Sequence, residues 1–202
     1  KIKGRMHGCG HDGHTSILLG VAKLINRNRD IFGGTVKLIF EPAEETTGGA
    51  KVMIEEGILK NPDVDMVYGL HMEETIDTGT IMVKRDTVNA ASNPFKIVVK
   101  GKGAHGAYPA AAVDPIVASS QIIMALQTIV SREINPSNSA VVTVGSIHGG
   151  TASNIIPDEV EIGGIIRTIT KEDREHSVKR VKEIAEGIAR TLRAECKIEI
   201  EE

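Results

Sequence analysis

Between residues 15 and 28 apolar side chains recur at Leu18, Val21, Ala22 and Ile25, with Ile17 and Leu24 beside them. That is the 3.6-residue period of a helix with one buried stripe. Asp12 suits its N-terminus, Arg27 and Arg29 suit the negative end of its dipole, and Gly33-Gly34 stop it. Residues 35–40, Thr-Val-Lys-Leu-Ile-Phe, predict a buried strand that Pro42 ends. Residues 49–56 predict a short helix closed by Gly57, residues 64–70 a second strand delivering His71 at its end, and residues 80–84 a weaker third. Two strands joined by a crossover helix should be parallel and right-handed, so their carboxyl ends share one sheet edge. The first helix must run antiparallel to the strand it feeds, which brings its N-terminus to that edge too.

The pattern changes at the small, polar, turn-forming run Asn89-Ala90-Ala91-Ser92-Asn93-Pro94, which predicts a domain boundary, with residues 1–91 before it and 92–202 after it. Residues 95–100 predict a strand, and Asp114-Pro115 an N-cap followed by proline at the first position of a helix reaching Glu133. Residues 140–147 and 160–169 predict strands, the second alternating Val160, Ile162, Gly164 and Ile166 on one face. Thr170 with Asp173 resembles a capping box for a helix whose apolar stripe is Val178, Val181, Ile184, Ala185, Ile188 and Leu192, and residues 197–201 predict a last strand. The order β-α-β-β-α-β is the ferredoxin-like arrangement, with both helices on one face of a four-stranded sheet. Residues 1–91 have too few strands to bury a doubly wound sheet, which is expected of the middle of a larger domain. The chain also opens on Lys1 without an initiator Met and ends on a strand, as a segment of a longer polypeptide would.

Composition narrows the function classes. Of the 202 residues 41% are apolar and 25% charged, and the net charge of -3 comes from interleaved acids and bases. This gives no basic field for nucleic acid and no polybasic segment for a membrane surface. The longest apolar stretch, residues 17–25, is interrupted by Lys23 and falls short of the ~20 residues that span a bilayer. Two cysteines, Cys9 and Cys196, make no disulfide framework, so a reducing cytoplasm is expected.

Candidate chemistry concentrates in Met6-His7-Gly8-Cys9-Gly10-His11-Asp12-Gly13-His14, which places a thiol, three imidazoles and a carboxylate within nine residues. A Cys and a His two residues apart, with a small Gly between, can point into one metal ion. The strand-end rule adds Glu44, Glu45 and His71 at the same edge. Adjacent glutamates cannot point the same way from an extended backbone, so one can bind metal while the other faces a water, taking its proton and later returning it. His7, His14, His148 and His176 read as structural or surface residues, with His14 or Asp12 as partners behind the ligands. In Gly101-Lys102-Gly103-Ala104-His105-Gly106 the glycine spacing satisfies a dinucleotide fingerprint. Tyr108-Pro109 and a run of alanines separate it from the next helix, and the next strand ends without an acid for a ribose, so that reading fails. His105 is then a functional or merely solvated loop histidine. Asn154 is a substrate contact or a turn former, and Arg167 a carboxylate clamp or a free surface cation.

Residues 6–14, Glu-Pro-Ala-Glu-Glu (41–45), Gly-Leu-His (69–71), Gly-Ala-His-Gly-Ala-Tyr-Pro (103–109) and Ser-Asn-Ile-Ile-Pro-Asp (153–158) together closely resemble the M20 metallopeptidase and amidohydrolase family. The branch it resembles contains N-acyl-amino-acid amidohydrolases, hippurate hydrolases and auxin-conjugate hydrolases. The resemblance implies an α/β fold: part of a zinc-peptidase-like parallel-sheet catalytic domain plus a ferredoxin-like lid that mediates homodimerisation. It implies that Cys9, His11, Glu45 and His71 are ligands of a two-metal centre, with Glu44 as general base. His105 would reach across the homodimer to stabilise the oxyanion, and Asn154 and Arg167 would hold substrate. Zinc is the expected ion, and nickel, manganese or cobalt also suit these ligands. The implied reaction is hydrolysis of the amide of an N-acyl amino acid or small peptide-like substrate. Family members begin before Lys1 and continue past the lid with a further His ligand, so this chain alone is expected to bind metal incompletely. Two other readings use the same residues: Cys9 as a nucleophile with His11 as its base, and a dimerising module whose metal site is vestigial.

Overall fold

In the computed structural model, which describes residues 3, 8–45 and 48–201, the chain divides into two units, Lys1–Met82 and Val83–Glu202. His7 and the rest of residues 4–7 lie outside the described residues, so the expectation for His7 has no structural counterpart.

The second unit is built on period-two alternation. Strand β1 (Ala91–Lys100) turns Asn93, Phe95, Ile97 and Val99 inward and its alternate residues outward. After a two-residue β2 (Ala104–His105), helix α3 (Pro115–Thr128) leads to β3 (Ala140–Gly149). A two-residue β4 (Ile155–Ile156), β5 (Glu159–Thr168), helix α4 (Lys171–Thr191) and β6 (Glu195–Ile200) complete the unit. The four long strands form one sheet in the order β3-β5-β1-β6, every neighbour antiparallel. With the intervening helices this is the ferredoxin-like topology that the β-α-β-β-α-β order predicts.

Its core lies between the sheet and both helices. Ile97, Val99, Ile162 and Ile166 of the sheet meet Ala118, Ile122 and Leu126 of α3 and Val181, Ala185 and Ala189 of α4, all essentially without solvent contact. Each large aliphatic side chain buried in this way contributes about 1.5–3 kcal/mol. Both helix starts follow the predicted chemistry. The Asp114 carboxylate accepts from the amides of Ile116 and Val117, and the Thr170 hydroxyl accepts from the amide of Asp173.

Several boundaries differ from the expectation, three of them in ways that change the packing. The strand expected from residue 95 begins at Ala91: Asn93, a turn former by type, is buried because Glu201 O accepts from its amide and Arg174 donates to it. The helix expected to reach Glu133 ends as an α-helix at Thr128 and continues as a π-helical turn, Ile129–Glu133. That turn presents the Glu133 carboxylate to α4, where it accepts from Arg180 Nε at 2.7 Å and lies 2.9 Å from His176 Nε2. The first helix, α1 (His11–Arg27), starts four residues before its apolar period, because His11-Asp12-Gly13-His14 carries no hydrophobic signal.

In the first unit α1 is followed by α2 (Gly49–Glu55), closed near Gly57 as predicted. The parallel strands expected at residues 35–40 and 64–70, and the weaker one at 80–84, form no hydrogen-bonded ladder among the described residues. Val36, Phe40, Val67 and Leu70 are exposed. β-branched composition measures how well a segment suits a pleated, half-buried surface, and these segments do not take each other as partners. Lys37 instead sends its ammonium to the carbonyls of Ile58, Lys60 and Pro62, at 2.7–3.2 Å, which ties residues 35–40 to the turn after α2. No helix among the described residues is long and apolar enough to cross a membrane.

Candidate metal centre

Gly10 enters α1 with φ of +83°, a conformation that a Cβ disfavours, and the turn it makes sets Cys9 just before the helix and His11 in its first position. The Glu41–Glu45 loop is held against the start of α2. Glu41 Oε1 accepts the amide of Ala50 at 2.8 Å, Ala43 O accepts the amide of Gly48 at 3.1 Å, and a Cβ on Gly49 would stand 1.9 Å from Pro42 O. Ala43 takes a positive φ of 55°, so Glu44 and Glu45 follow a turn rather than an extended strand. Their carboxylates therefore converge, contrary to the divergence an extended backbone dictates: Glu44 Oε2 and Glu45 Oε1 each lie 3.5 Å from His11 Nε2.

Donor atoms of Cys9, His11 and Glu45 all lie within 4.8 Å of one another. His71 joins them, with Nε2 3.2 Å from Cys9 Sγ. His71 Nδ1 is 2.5 Å from Met72 O, and because a carbonyl only accepts, Nδ1 carries the proton and Nε2 keeps its lone pair toward the cluster. Thus Cys9, His11, Glu44, Glu45 and His71 come together within the first unit, although the strands expected to assemble them form no ladder among the described residues. A thiol, two imidazoles and carboxylates at this spacing fit a borderline divalent cation such as zinc. The Glu45 carboxylate, hydrogen-bonded to Cys9, holds the thiol above its usual pKa, with desolvation and Glu44 adding to the effect. A divalent cation among these donors reverses that balance and favours the thiolate. The other cysteine is different in kind: half-buried in β6, its thiol is pushed by burial up to about 11.

His14, read from the sequence as structural or as a partner behind the ligands, stands one helical turn after His11. Its Nε2 accepts the amide of Met72 at 2.9 Å, and its ring centroid is 4.6 Å from that of His71. Desolvation, with His71 and His11 nearby, keeps its pKa below the usual imidazole value. The participation of Met72 was not legible in the sequence, where nothing but adjacency to His71 marks it.

The remaining candidates lie in the second unit. β2 and β4 pair antiparallel, with Ala104 opposite Ile156 and His105 opposite Ile155, and Asn154 O accepts the amide of Gly106 at 2.7 Å. The two motifs carrying His105 and Asn154 are therefore one ribbon, beside a cavity of about 490 Å³ lined by His105, Thr151, Ile155 and Asp158 among others. Gly101 and Gly103 serve close packing here: a Cβ would stand 2.1 Å from Val113 O at the first and 2.9 Å from Ile156 O at the second. His105 Nδ1 accepts the amide of Ala107 at 3.1 Å, so the neutral ring carries its proton on exposed Nε2. Arg167 is not part of this ribbon. It projects from the helix-free face of β5, in register with Ser92 and Val141, eight residues beyond Glu159 or about 26 Å along the strand.

The model of peptidase family M20/M25/M40 matches residues 1–194. N-acetyl-L-cysteine deacetylase of Bacillus subtilis is 47% identical over 94% of this chain and 45% of its own length. IAA-amino acid hydrolase ILR1-like 2 of Arabidopsis thaliana is 48% identical over 84% of this chain and 38% of its own length. The crystal structure of a dinuclear metal-binding M20 peptidase from Bacillus subtilis superposes with a TM-score of 0.77 at 38% identity, over 99% of this chain and 50% of that one. The chain thus spans half or less of the length of these relatives, and within that span it belongs to peptidase family M20/M25/M40.

Proposed function

We propose that this chain supplies the metal centre and the lid of a metal-dependent amidohydrolase that cleaves N-acyl amino acids or small peptide-like substrates. Residues 1–91 belong to the catalytic domain in this reading, and residues 92–202 form a lid through which a homodimer assembles. The observation that carries it is the convergence of Cys9, His11 and Glu45 within 4.8 Å, with His71 3.2 Å from Cys9. Cys9, His11, Glu45 and His71 would contribute ligands to two divalent cations, zinc by preference, with nickel, manganese or cobalt also suited to the donors. When bound, such a pair supplies Lewis-acid polarisation of the scissile carbonyl and an acidified water.

The chain's own residues do the rest. Glu44, beside Glu45 at His11, takes a proton from the attacking water and returns it to the leaving amine nitrogen. His105, with its proton on Nε2, donates to the developing oxyanion across the homodimer. Asn154, on the same ribbon, holds the amino-acid part of the substrate, and Arg167, at the far end of β5, is a second and separate substrate contact suited to a carboxylate. The substrate class is supported by the acylated amino acids in the names of the deacetylase and the plant hydrolase. A reducing, cytoplasmic compartment suits a Cys9 that must serve as a thiolate ligand.

The test is Glu44→Gln in the full protein, with metal content and turnover of N-acetyl, N-benzoyl and indole-acyl amino acids measured together. Metal is retained and turnover falls by about 10²–10⁴-fold. Near-normal activity removes Glu44 from its role, and activity that survives chelation favours Cys9 as a nucleophile.

A further inference from the structure

The first helical turn of α1 does something beyond carrying Cys9 and His11. His14 faces His71, with ring centroids 4.6 Å apart, yet its Nε2 lone pair already takes the Met72 amide at 2.9 Å. The neutral ring then carries its proton on Nδ1, so neither nitrogen of His14 has a lone pair left for a cation. A histidine inside the cluster that cannot be a ligand needs another explanation, and Met72 provides it.

Met72 follows His71, and its carbonyl lies 2.5 Å from His71 Nδ1. The amide of Met72 is fixed by His14 and its carbonyl fixes the His71 ring, so the two bonds form a relay from α1 to the Nε2 that points at Cys9. α1 is shaped to receive this residue. A Cβ on Gly10 would stand 3.0 Å from Met72 Cβ, and one on Gly13 would stand 3.4 Å from Met72 Cγ. The glycines of Cys9-Gly10-His11-Asp12-Gly13-His14 leave room for Met72 between the ligands and His14.

We propose that His14 is a positioning residue of the metal centre: by accepting the Met72 amide it holds His71 in the orientation and tautomer that present Nε2 beside Cys9. This rests on the reading of Cys9, His11, Glu45 and His71 as ligands. The direct partner of a ligand histidine, here the Met72 carbonyl, sets its ring orientation, and loss of such a partner costs about 10- to 100-fold in metal affinity; His14 acts one bond further out, so its loss costs about tenfold, the low end of that range.

The experiment is a cobalt(II) titration of the full protein, following the thiolate-to-cobalt charge-transfer band and the visible d–d bands, with affinity obtained by competition against a chelator. Three proteins are compared: unaltered, His14→Leu, which keeps bulk and removes the acceptor, and His14→Gln, whose amide oxygen restores an acceptor near the Nε2 position. Leu weakens cobalt about tenfold and alters the d–d bands, and Gln recovers affinity to within about threefold. Equal affinity in all three overturns the proposal, as does Gln as weak as Leu. If Leu does not fold, long-range proton–nitrogen NMR of the unaltered zinc-loaded protein decides: Nδ1-protonated His14 with a non-metallated Nε2 supports the relay, and a metallated or Nε2-protonated ring overturns it. Absence of any thiolate–cobalt band in unaltered protein instead sinks the metal reading itself, and the relay with it.

Discussion

Gly10 and Gly20 sit at the start and in the middle of the same helix, and the structure assigns opposite signs to the same substitution. At Gly10 alanine meets two costs. The left-handed φ of +83° costs an L-residue about 1–2 kcal/mol, and the new Cβ would stand 3.0 Å from Met72 Cβ and 3.2 Å from Met72 Cγ. Met72 cannot simply swing away, because its amide is held by His14, so crowding adds about 1 kcal/mol. The entropy that alanine removes from the unfolded chain returns about 0.5 kcal/mol, leaving Gly10→Ala destabilising by about 2 kcal/mol. Gly20 lies in the helix interior with nothing within 4 Å of a built Cβ, so Gly20→Ala stabilises α1 by about 0.8–1 kcal/mol. Native-state hydrogen exchange of the α1 amides reads both numbers, because local opening is reported amide by amide. Exchange should speed in the first variant and slow in the second, with a gap of about 3 kcal/mol between them. A Gly10→Ala protein whose α1 amides exchange as slowly as the unaltered ones would refute the reading of Gly10 as the hinge that sets Cys9 against His11.

In the second unit, Ile97→Ala removes a side chain with no solvent exposure and should cost about 2–5 kcal/mol in urea unfolding at unchanged m-value. Glu133→Gln tests the π-turn contact. Arg180 first, and His176 after it, hold the Glu133 carboxyl below the ordinary value of 4.5. A depressed carboxyl contributes stability that is present above 4.5 and lost as pH falls through the lowered folded value. The variant should therefore be less stable than the unaltered protein by about 1 kcal/mol at pH 7, after allowance for the partial exposure of the pair. Unfolding curves at decreasing pH should converge below the depressed value, and a gap that persists there would place the effect in packing instead.

Legibility in the sequence followed the kind of signal each element carries. β5 and α4 alternate or recur over ten or more residues, and a repeat that long survives in the structure with its boundaries shifted only slightly. Residues 35–40 carry an equally apolar composition but no partner information. A strand requires the neighbour that composition cannot name, and Lys37 spends its ammonium on carbonyls of the next turn instead. The pairing of Glu44 and Glu45 on one imidazole is hidden for a related reason: adjacent side chains diverge on an extended backbone, and the positive φ of Ala43 makes a turn instead. What the motifs did reveal was the set of residues that meet. Cys9, His11, Glu45 and His71 converge through individual hydrogen-bond clamps, Glu41 on Ala50 and His14 on Met72, with no ladder between the expected strands among the described residues.

Histidine chemistry is where residue type is least informative and hydrogen-bond geometry most so. The same imidazole does four things in this chain, and in each case the nitrogen already engaged determines what the other can do. His71 donates Nδ1–H to the Met72 carbonyl and keeps an Nε2 lone pair for a cation. His14 uses Nε2 to accept the Met72 amide and has none left. His105 accepts the Ala107 amide on Nδ1 and offers an Nε2 donor to solvent or substrate. His176 sets Nε2 against Glu133 and is occupied in joining α4 to the π-turn. Counting imidazoles in Cys9-Gly10-His11-Asp12-Gly13-His14 would offer two histidines of this turn to the proposed centre, whereas the hydrogen bonds of His14 and His71 leave only His11 there and make His71 the second candidate. The division of labour between His14 and His71 is therefore fixed by backbone groups, the Met72 amide and carbonyl, and it is through them that a change at His14 would reach the proposed centre.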